Sequence, residues 1–350
     1  MPLYQYALIF GTSVGLAALM APIAGRLARR FDIVDHPGGR RRHTGAVPRL
    51  GGVAVFVAFS AAVGVAAWRG TLTAGYGSND ILRLKGLLIG GAAAFLFGLV
   101  DDRFNLSPWP QFAFQFTLSL VALATLLWLE RFTLPFFGTI KLNDYPWGPL
   151  VYVPLTTLWV MGMINTVNWL DGLDGLAAGV GAILCLVLAI HMRYRAAQPQ
   201  ASAALLPVAL MGALVGFLPF NIAPARIFMG STGAFFLGYA LAALGLIAGG
   251  RTATVLMVMG LPIVDVAWQI FDRVRHKRSP VQGDRGHLHY RLRDLGLSKR
   301  AIVFVYWTFC AGFGLLALVA APWQKLVALV SIGVIVILTL VFLSHTDKGN

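Results

Sequence analysis

Apolar stretches long enough to cross a bilayer recur along nearly the whole chain, and they leave few architectures open. About eleven of them, each near the roughly 20 residues that a spanning helix needs, lie near 4–26, 50–68, 84–102, 110–130, 149–168, 173–192, 203–222, 233–249, 252–272, 302–321 and 325–344. Lipid offers the backbone no hydrogen-bond partners, so such segments are expected to be helical. Composition agrees: of 350 residues, 58% are hydrophobic and only 12% charged, as in polytopic membrane proteins. The expectation is a single all-α membrane domain over residues 1–350. The first span runs from Pro22 and Gly25 straight into Arg26, Arg29 and Arg30. It shows no cleavable-signal pattern and is expected to be retained.

Basic residues set the expected orientation. If the N-terminus is outside, most of the 28 Lys and Arg residues fall on the inner side, in stretches 26–49 and 273–300 and at Arg103, Arg226 and Lys348. Eleven spans then place the C-terminus inside as well. The same choice gathers every acidic or Asn-rich motif on the inner side, so an inner-facing cleft is expected. The net charge of +14 lies in short inter-span loops, where topology and anionic lipid account for it. No basic stripe with interleaved aromatics argues for nucleic acid. Cys185 and Cys310 fall within spans and read as buried apolar residues. Residues 131–148 are β-prone and turn-rich, which predicts an outer hairpin.

The chain has only 14 Asp and Glu residues, and four of them sit in two short motifs at span ends. Carboxylates beside lipid are costly unless they line a wet cavity or hold a cation. Asp101 and Asp102 close the third span. Adjacent helical residues point about 100° apart, so one is expected to face substrate and the other a cation or a helix end. Asn165, Asn168, Asp171 and Asp174 follow at spacings of three. Such a series drifts around a helix axis, so a turn is needed for all four to converge. Their oxygen donors suit Mg²⁺, which uses few protein ligands together with water and phosphate. The competing reading makes Asp171 or Asp174 the N-cap of the sixth span. Asn221–Gly233 (NIAPARIFMGSTG) forms a polar turn able to offer backbone N–H groups to phosphate. Arg285, His287 and His289 form a cationic cluster suited to a diphosphate. Zinc spacing is missing. Arg40, Arg41, Arg42 and His43 add a basic cluster before Pro48-Arg49-Leu50-Gly51-Gly52.

Taken together, these motifs resemble the polyprenyl-phosphate N-acetylhexosamine-1-phosphate transferase family. They are Asp35-x-Pro37 with His43 and Pro48-Arg49-x-Gly51-Gly52; Asp101-Asp102; Asn165-x-x-Asn168-x-x-Asp171-Gly-x-Asp174-Gly; Asn221-x-x-Pro224-Ala225-x-x-Phe228-Met229-Gly230; and Ser279-Pro280 with Asp284-Arg285-x-His287-x-His289. All five occur in the family's order, over nearly the whole chain. The resemblance implies transfer of a sugar 1-phosphate from a UDP-N-acetylhexosamine to undecaprenyl phosphate in the bacterial inner membrane. UMP is released, and the lipid-linked sugar that starts a cell-envelope polysaccharide is formed. The last motif resembles that of enzymes using simple UDP-N-acetylhexosamines, not the three consecutive His of the muramyl-pentapeptide enzyme, so UDP-GlcNAc leads.

The resemblance further implies that Asp101, Asp102 and Asp171 are catalytic. It implies that Gly172, Leu173, Asp174, Asn221 and Phe228 form the nucleotide-sugar pocket. His43, Arg285, His287 and His289 would bind phosphate, and Asn168 and the Ser231 position would serve Mg²⁺, or Mn²⁺. A homodimer is a further implication. Three departures stand out: Ser231 replaces the usual Asp of Met-Gly-Asp, Gln111 replaces a usual Lys, and Tyr290 replaces the last His. Ser231 and Gln111 support an alternative, a homologue that binds polyprenyl phosphate or nucleotide without turnover. The first two changes cancel in charge and are expected to compensate each other.

Overall fold

A computed structural model describes residues 1–36, 45–134, 138–195, 200–249, 251–277 and 288–346. Its helices, in chain order, are α1 (Leu3–Arg30), α2 (Gly51–Trp68), α3 (Ser78–Phe104), α4 (Pro108–Ala124), α5 (Gly148–Leu170), α6 (Leu176–Ile190) and α7 (Leu205–Asn221). Then come α8 (Gly230–Ile247), α9 (Thr252–Val258), α10 (Gly260–Arg275), α11 (Leu288–Asp294), α12 (Lys299–Val319) and α13 (Pro322–Thr346).

Among the described residues, eight helices are long and apolar enough to span a membrane, or nine if α9 and α10 count as one broken span. The chain is thus a multi-pass helical membrane protein. Every expected span has a helical counterpart, but three differ from the expected form. The α4 and α7 helices have 17 residues each, about 25 Å at 1.5 Å per residue. The third is the expected continuous span 252–272, which is bent by 81° between α9 and α10. Pro262 lies in the first turn of α10. It has no N–H for the carbonyl four residues earlier, and its ring crowds that position.

Helix α8 is the hub. It is buried along its whole length and packs against α3, α5 and α2, while α1 packs on α7 and α2. Small residues allow this closeness. At Gly52 a Cβ would stand 2.1 Å from the backbone N of Gly233, so α2 and α8 meet backbone to backbone. The expected hairpin is present as β3 (Arg131–Leu134) and β4 (Gly138–Lys141), antiparallel with Thr133 opposite Thr139. Two short strands precede it, β1 (Val34–Asp35) and β2 (Val47–Pro48), also antiparallel.

Candidate functional site

The last turn of α3 treats its two aspartates differently. Asp102 is buried, and Oδ1 accepts the N–H of Ser231 at 2.9 Å. Its Oδ2 accepts the N–H of Thr232 at 2.8 Å and the Thr232 hydroxyl at 2.6 Å. These are first-turn groups of α8, which have no acceptor within their own helix. The carboxylate therefore caps α8 from a neighbouring helix, and the Arg49 Nη2 at 3.3 Å balances its charge. Arg49 also donates to Asn105 Oδ1 at 3.0 Å.

The approach of α8 to this anchor requires glycine. Gly230 has φ +71°, and a Cβ there would lie 2.0 Å from the Arg49 carbonyl oxygen and 2.6 Å from Asp102 Oδ2. Three backbone bonds fasten the segment entering α8 to Pro48 and the start of α2. Phe228 N–H donates to Pro48 O at 2.8 Å, Gly51 N–H to Phe228 O at 2.9 Å, and Gly52 N–H to Met229 O at 2.8 Å.

Asp101 turns instead to a cavity of about 350 Å³. Its Oδ1 accepts the Leu106 N–H at 3.1 Å and the Gln111 amide at 3.0 Å. Among the described residues, its Oδ2 takes no hydrogen bond. The cavity is also lined by Asp35, Asn168, Asp171, Gly172, Asp174, Phe228, Gly230 and Ser231, and by the cations Arg49, Arg293 and Lys299. Gln111 and Tyr290 complete its polar wall.

The Asn/Asp series divides as a drifting helical series must. Asn165 faces away from the cavity and pairs with Gln115 of α4, donating at 2.6 Å and accepting at 3.3 Å. Asn168 stays on α5, which ends at Leu170 with Asp171 as its C-cap. The turn that follows brings Asp174 to the cavity. Neither aspartate caps the next helix: the N-cap of α6 is Gly175, with φ +84°. Asp174 accepts the Ala225 N–H at 3.2 Å and pairs with Lys299 Nζ at 3.2 Å.

Several expected contact residues do other work. Leu173 is buried in the core. Asn221 is also buried, accepting the Gly175 N–H at 3.1 Å and donating to Ile227 O at 3.0 Å. It ties the two loops together and does not line the cavity. Asp102 is likewise absent from the cavity lining. Gly172, Phe228 and Ser231 do line it. His289 is buried beside Gly172. His43, Arg285 and His287 lie outside the described residues.

Arg293 and Lys299 were not singled out from sequence as site residues. Arg293 follows His289 by four positions on α11, the spacing of neighbours on one helix face. That was the available signal. Lys299 opens α12 after the N-cap Ser298, whose hydroxyl accepts the Ala301 N–H at 3.2 Å. Asp171 is electrostatically strained by its surroundings. Burial first, then the charges of Asp102 and Asp174, push its carboxyl well above the usual carboxylate range. The Gly230 backbone hydrogen bond and Arg49 oppose that rise. Among the described residues, no three His, Cys, Asp or Glu side chains are placed to hold a metal by themselves.

Residues 84–249, which carry most of α3 and the whole of α4 to α8, match the glycosyl transferase family 4 model. A probable undecaprenyl-phosphate N-acetylglucosaminyl 1-phosphate transferase of Bacillus subtilis (strain 168) is 32% identical over 326 residues, covering 91% of this chain and 86% of the relative. The chain belongs to the polyprenyl-phosphate N-acetylhexosamine-1-phosphate transferases of glycosyl transferase family 4. A decaprenyl-phosphate N-acetylglucosaminephosphotransferase of Mycobacterium tuberculosis (strain ATCC 25618 / H37Rv) is 31% identical over 339 residues, covering 89% of this chain and 82% of the relative. A phospho-N-acetylmuramoyl-pentapeptide-transferase of Heliobacterium modesticaldum is 31% identical over 322 residues, covering 86% and 92%.

Within this family 4 transferase, the matched segment supplies only part of the cavity wall. Asp35, Arg49, Tyr290, Arg293 and Lys299 come from outside it. All three departures from the family pattern, Ser231, Gln111 and Tyr290, line the same cavity.

Proposed function

We propose that this transferase moves an N-acetylhexosamine 1-phosphate, most simply GlcNAc 1-phosphate, from its UDP-sugar to undecaprenyl phosphate. The cavity wall carries this reading: a carboxylate oxygen of Asp101 without a hydrogen bond among the described residues, oxygen donors Asn168 and Asp171, and cations Arg49, Arg293 and Lys299 share one cavity. A phosphate must attack a diphosphate, so like charges must be brought together, and fixed cations lower that barrier. In the reaction an oxygen of the lipid phosphate attacks the phosphorus that bears the sugar. The bond from that phosphorus to the bridging oxygen breaks, and UMP leaves. Asp101 Oδ2 takes the proton of an acceptor phosphate that arrives as the monoanion. Attack is direct, without an aspartyl-phosphate.

The donor set fits Mg²⁺, a hard cation satisfied by few protein oxygens plus phosphate and water. Asn168 and Asp171 would hold it, with the Ser231 hydroxyl as a weaker donor. When bound, it supplies charge neutralisation and polarises the diphosphate. Asp174, Gly172 and Phe228 border the nucleotide, and His289 borders the diphosphate. The site faces the cytoplasm across a bacterial inner membrane, as the basic loops favour.

The test is UMP release by purified protein given UDP-GlcNAc and undecaprenyl phosphate, with Mg²⁺ present or chelated. Release that needs both the lipid and the metal supports the proposal. No release, with UDP-GalNAc and Mn²⁺ also failing, replaces it with the binding-only reading suggested by Ser231 and Gln111.

A further inference from the structure

Helix α10 carries Asp265, Gln269 and Arg273 at four-residue spacing, hence on one face. All three are buried, at 4%, 1% and 3% exposure. A carboxylate inside an apolar bundle is costly unless it is hydrogen-bonded. The Oδ1 atom of Asp265 accepts the backbone N–H of Leu288 at 2.8 Å. Leu288 is the first residue of α11, where the amides have no acceptor within the helix. Tyr306 of α12 lies within electrostatic reach of the same carboxylate.

What α11 carries explains why its anchor matters. His289 follows Leu288 directly and is 2% exposed. Its Nε2 lies 3.2 Å from where a Cβ on Gly172 would stand, and the Tyr290 hydroxyl lies 3.3 Å from the same point. Gly172, Tyr290 and Arg293 line the cavity. At the other end of the α10 ladder, the Arg273 guanidinium sits 5.7 Å from the Trp169 ring centre, two residues before Asp171. The polar face of α10 thus underlies both walls of the site.

We propose that Asp265 is a positioning residue. By fixing the first N–H of α11 it places His289, Tyr290 and Arg293 against the cavity, and so sets the affinity for the nucleotide-sugar diphosphate. The role in donor affinity rests on the proposed transferase function; the placement of His289 does not.

The experiment compares full-length wild type with Asp265→Ala, which removes the acceptor, and Asp265→Asn, which keeps a carbonyl oxygen for Leu288. The first readout needs no activity: the rate of His289 modification by diethyl pyrocarbonate, followed by mass spectrometry in detergent without substrates. Asp265→Ala is expected to speed modification about tenfold or more, while Asp265→Asn recovers most of the protection. The second readout is kinetic. Asp265→Ala is expected to raise KM for UDP-GlcNAc about tenfold and leave KM for undecaprenyl phosphate within about twofold, the split expected if one hydrogen-bond-sized contact is lost on the donor side only. If Asp265→Ala does not yield monodisperse protein, Asp265→Ser, whose hydroxyl falls short of Leu288, takes its place. Unchanged His289 modification in the folded variant overturns the proposal, as does Asp265→Asn behaving like Asp265→Ala. If wild type releases no UMP, the transferase reading fails, while the modification rates still decide the role of Asp265.

Discussion

Replacing each aspartate of the Asp101–Asp102 pair by asparagine separates a reacting carboxylate from an anchoring one. In Asp102→Asn, an NH₂ group must occupy one oxygen position. At Oδ2 it would confront the Thr232 N–H and hydroxyl; at Oδ1 it would confront the Ser231 N–H and Arg49. Either way donors face donors, and Arg49, 16% exposed, loses its counter-charge. A hydrogen bond to a charged group contributes about 1.5–3 kcal/mol, and breaking a buried ion pair costs about 3–5 kcal/mol. These overlap, so the expected destabilisation is about 3–5 kcal/mol. For 350 residues the unfolding entropy is about 0.7 kcal/mol/K, which makes the drop in Tm about 4–7 °C.

Asp101→Asn is expected to behave oppositely. Its Oδ1 can still accept from Leu106 and Gln111, and among the described residues no hydrogen bond is lost at the other atom. The Tm should stay within about 2 °C, because no hydrogen bond worth the usual 1 kcal/mol is removed. UMP release should fall about 10²-fold or more, the usual contribution of a general base. The assay is thermal unfolding in detergent by intrinsic fluorescence, paired with UMP release. An Asp102→Asn protein that melts like wild type, or an Asp101→Asn protein that melts as low as Asp102→Asn, refutes the division of roles.

Asp171 gives a pH signature in chelator. Its carboxyl is raised in the folded protein, so its contribution is fully present below the unfolded value of about 3.9 and is lost as pH rises through the folded one. Asp171→Asn should therefore melt higher than wild type at pH 7.5 in EDTA, with the difference closing towards pH 4; a lower Tm at both pH values contradicts this. Gly52→Ala forces a Cβ against the Gly233 backbone and should lower Tm by more than the usual overpacking cost of about 1–3 kcal/mol allows for a side-chain clash. Gly64→Ala in the same helix, where a Cβ meets nothing within 4 Å, should melt at or above wild type. Ser231 and Gln111 line one cavity, and Gln111 donates to Asp101 there, so Ser231→Asp alone should release UMP more slowly than Ser231→Asp with Gln111→Lys. Equal or faster release by the single variant removes the idea of charge compensation.

The membrane-helix architecture was legible because apolar runs near 20 residues admit little else. The break between α9 and α10 was not, because hydropathy continues through Met259 and Gly260; only Pro262 marks it locally. That Asp101 and Asp102 differ was legible from the 100° between helical neighbours. Which of them faces the cavity was not, since this depends on where the N-terminus of α8 docks, a contact between residues about 130 positions apart. The same holds for Asn221, whose polarity reads as ligand contact but serves Gly175 and Ile227. Arg293 and Lys299 read as topology-setting charge, and only their return to the cavity makes them site residues.

The helix ends explain why these carboxylates need so much support. Asp101, Asp102 and Asp171 all stand at C-terminal ends, of α3 and α5, where the helix dipole disfavours negative charge. Asp102 is offset by the amides of α8 and by Arg49. Asp101 is offset by the Leu106 N–H and the Gln111 amide. Asp171 has the Gly230 backbone and Arg49 on its side, and these do not overcome burial together with Asp102 and Asp174. The ionised form of Asp171 therefore gains from a further cation, and Asn168, one helical turn before it, offers the neutral oxygen donor that such a cation would use.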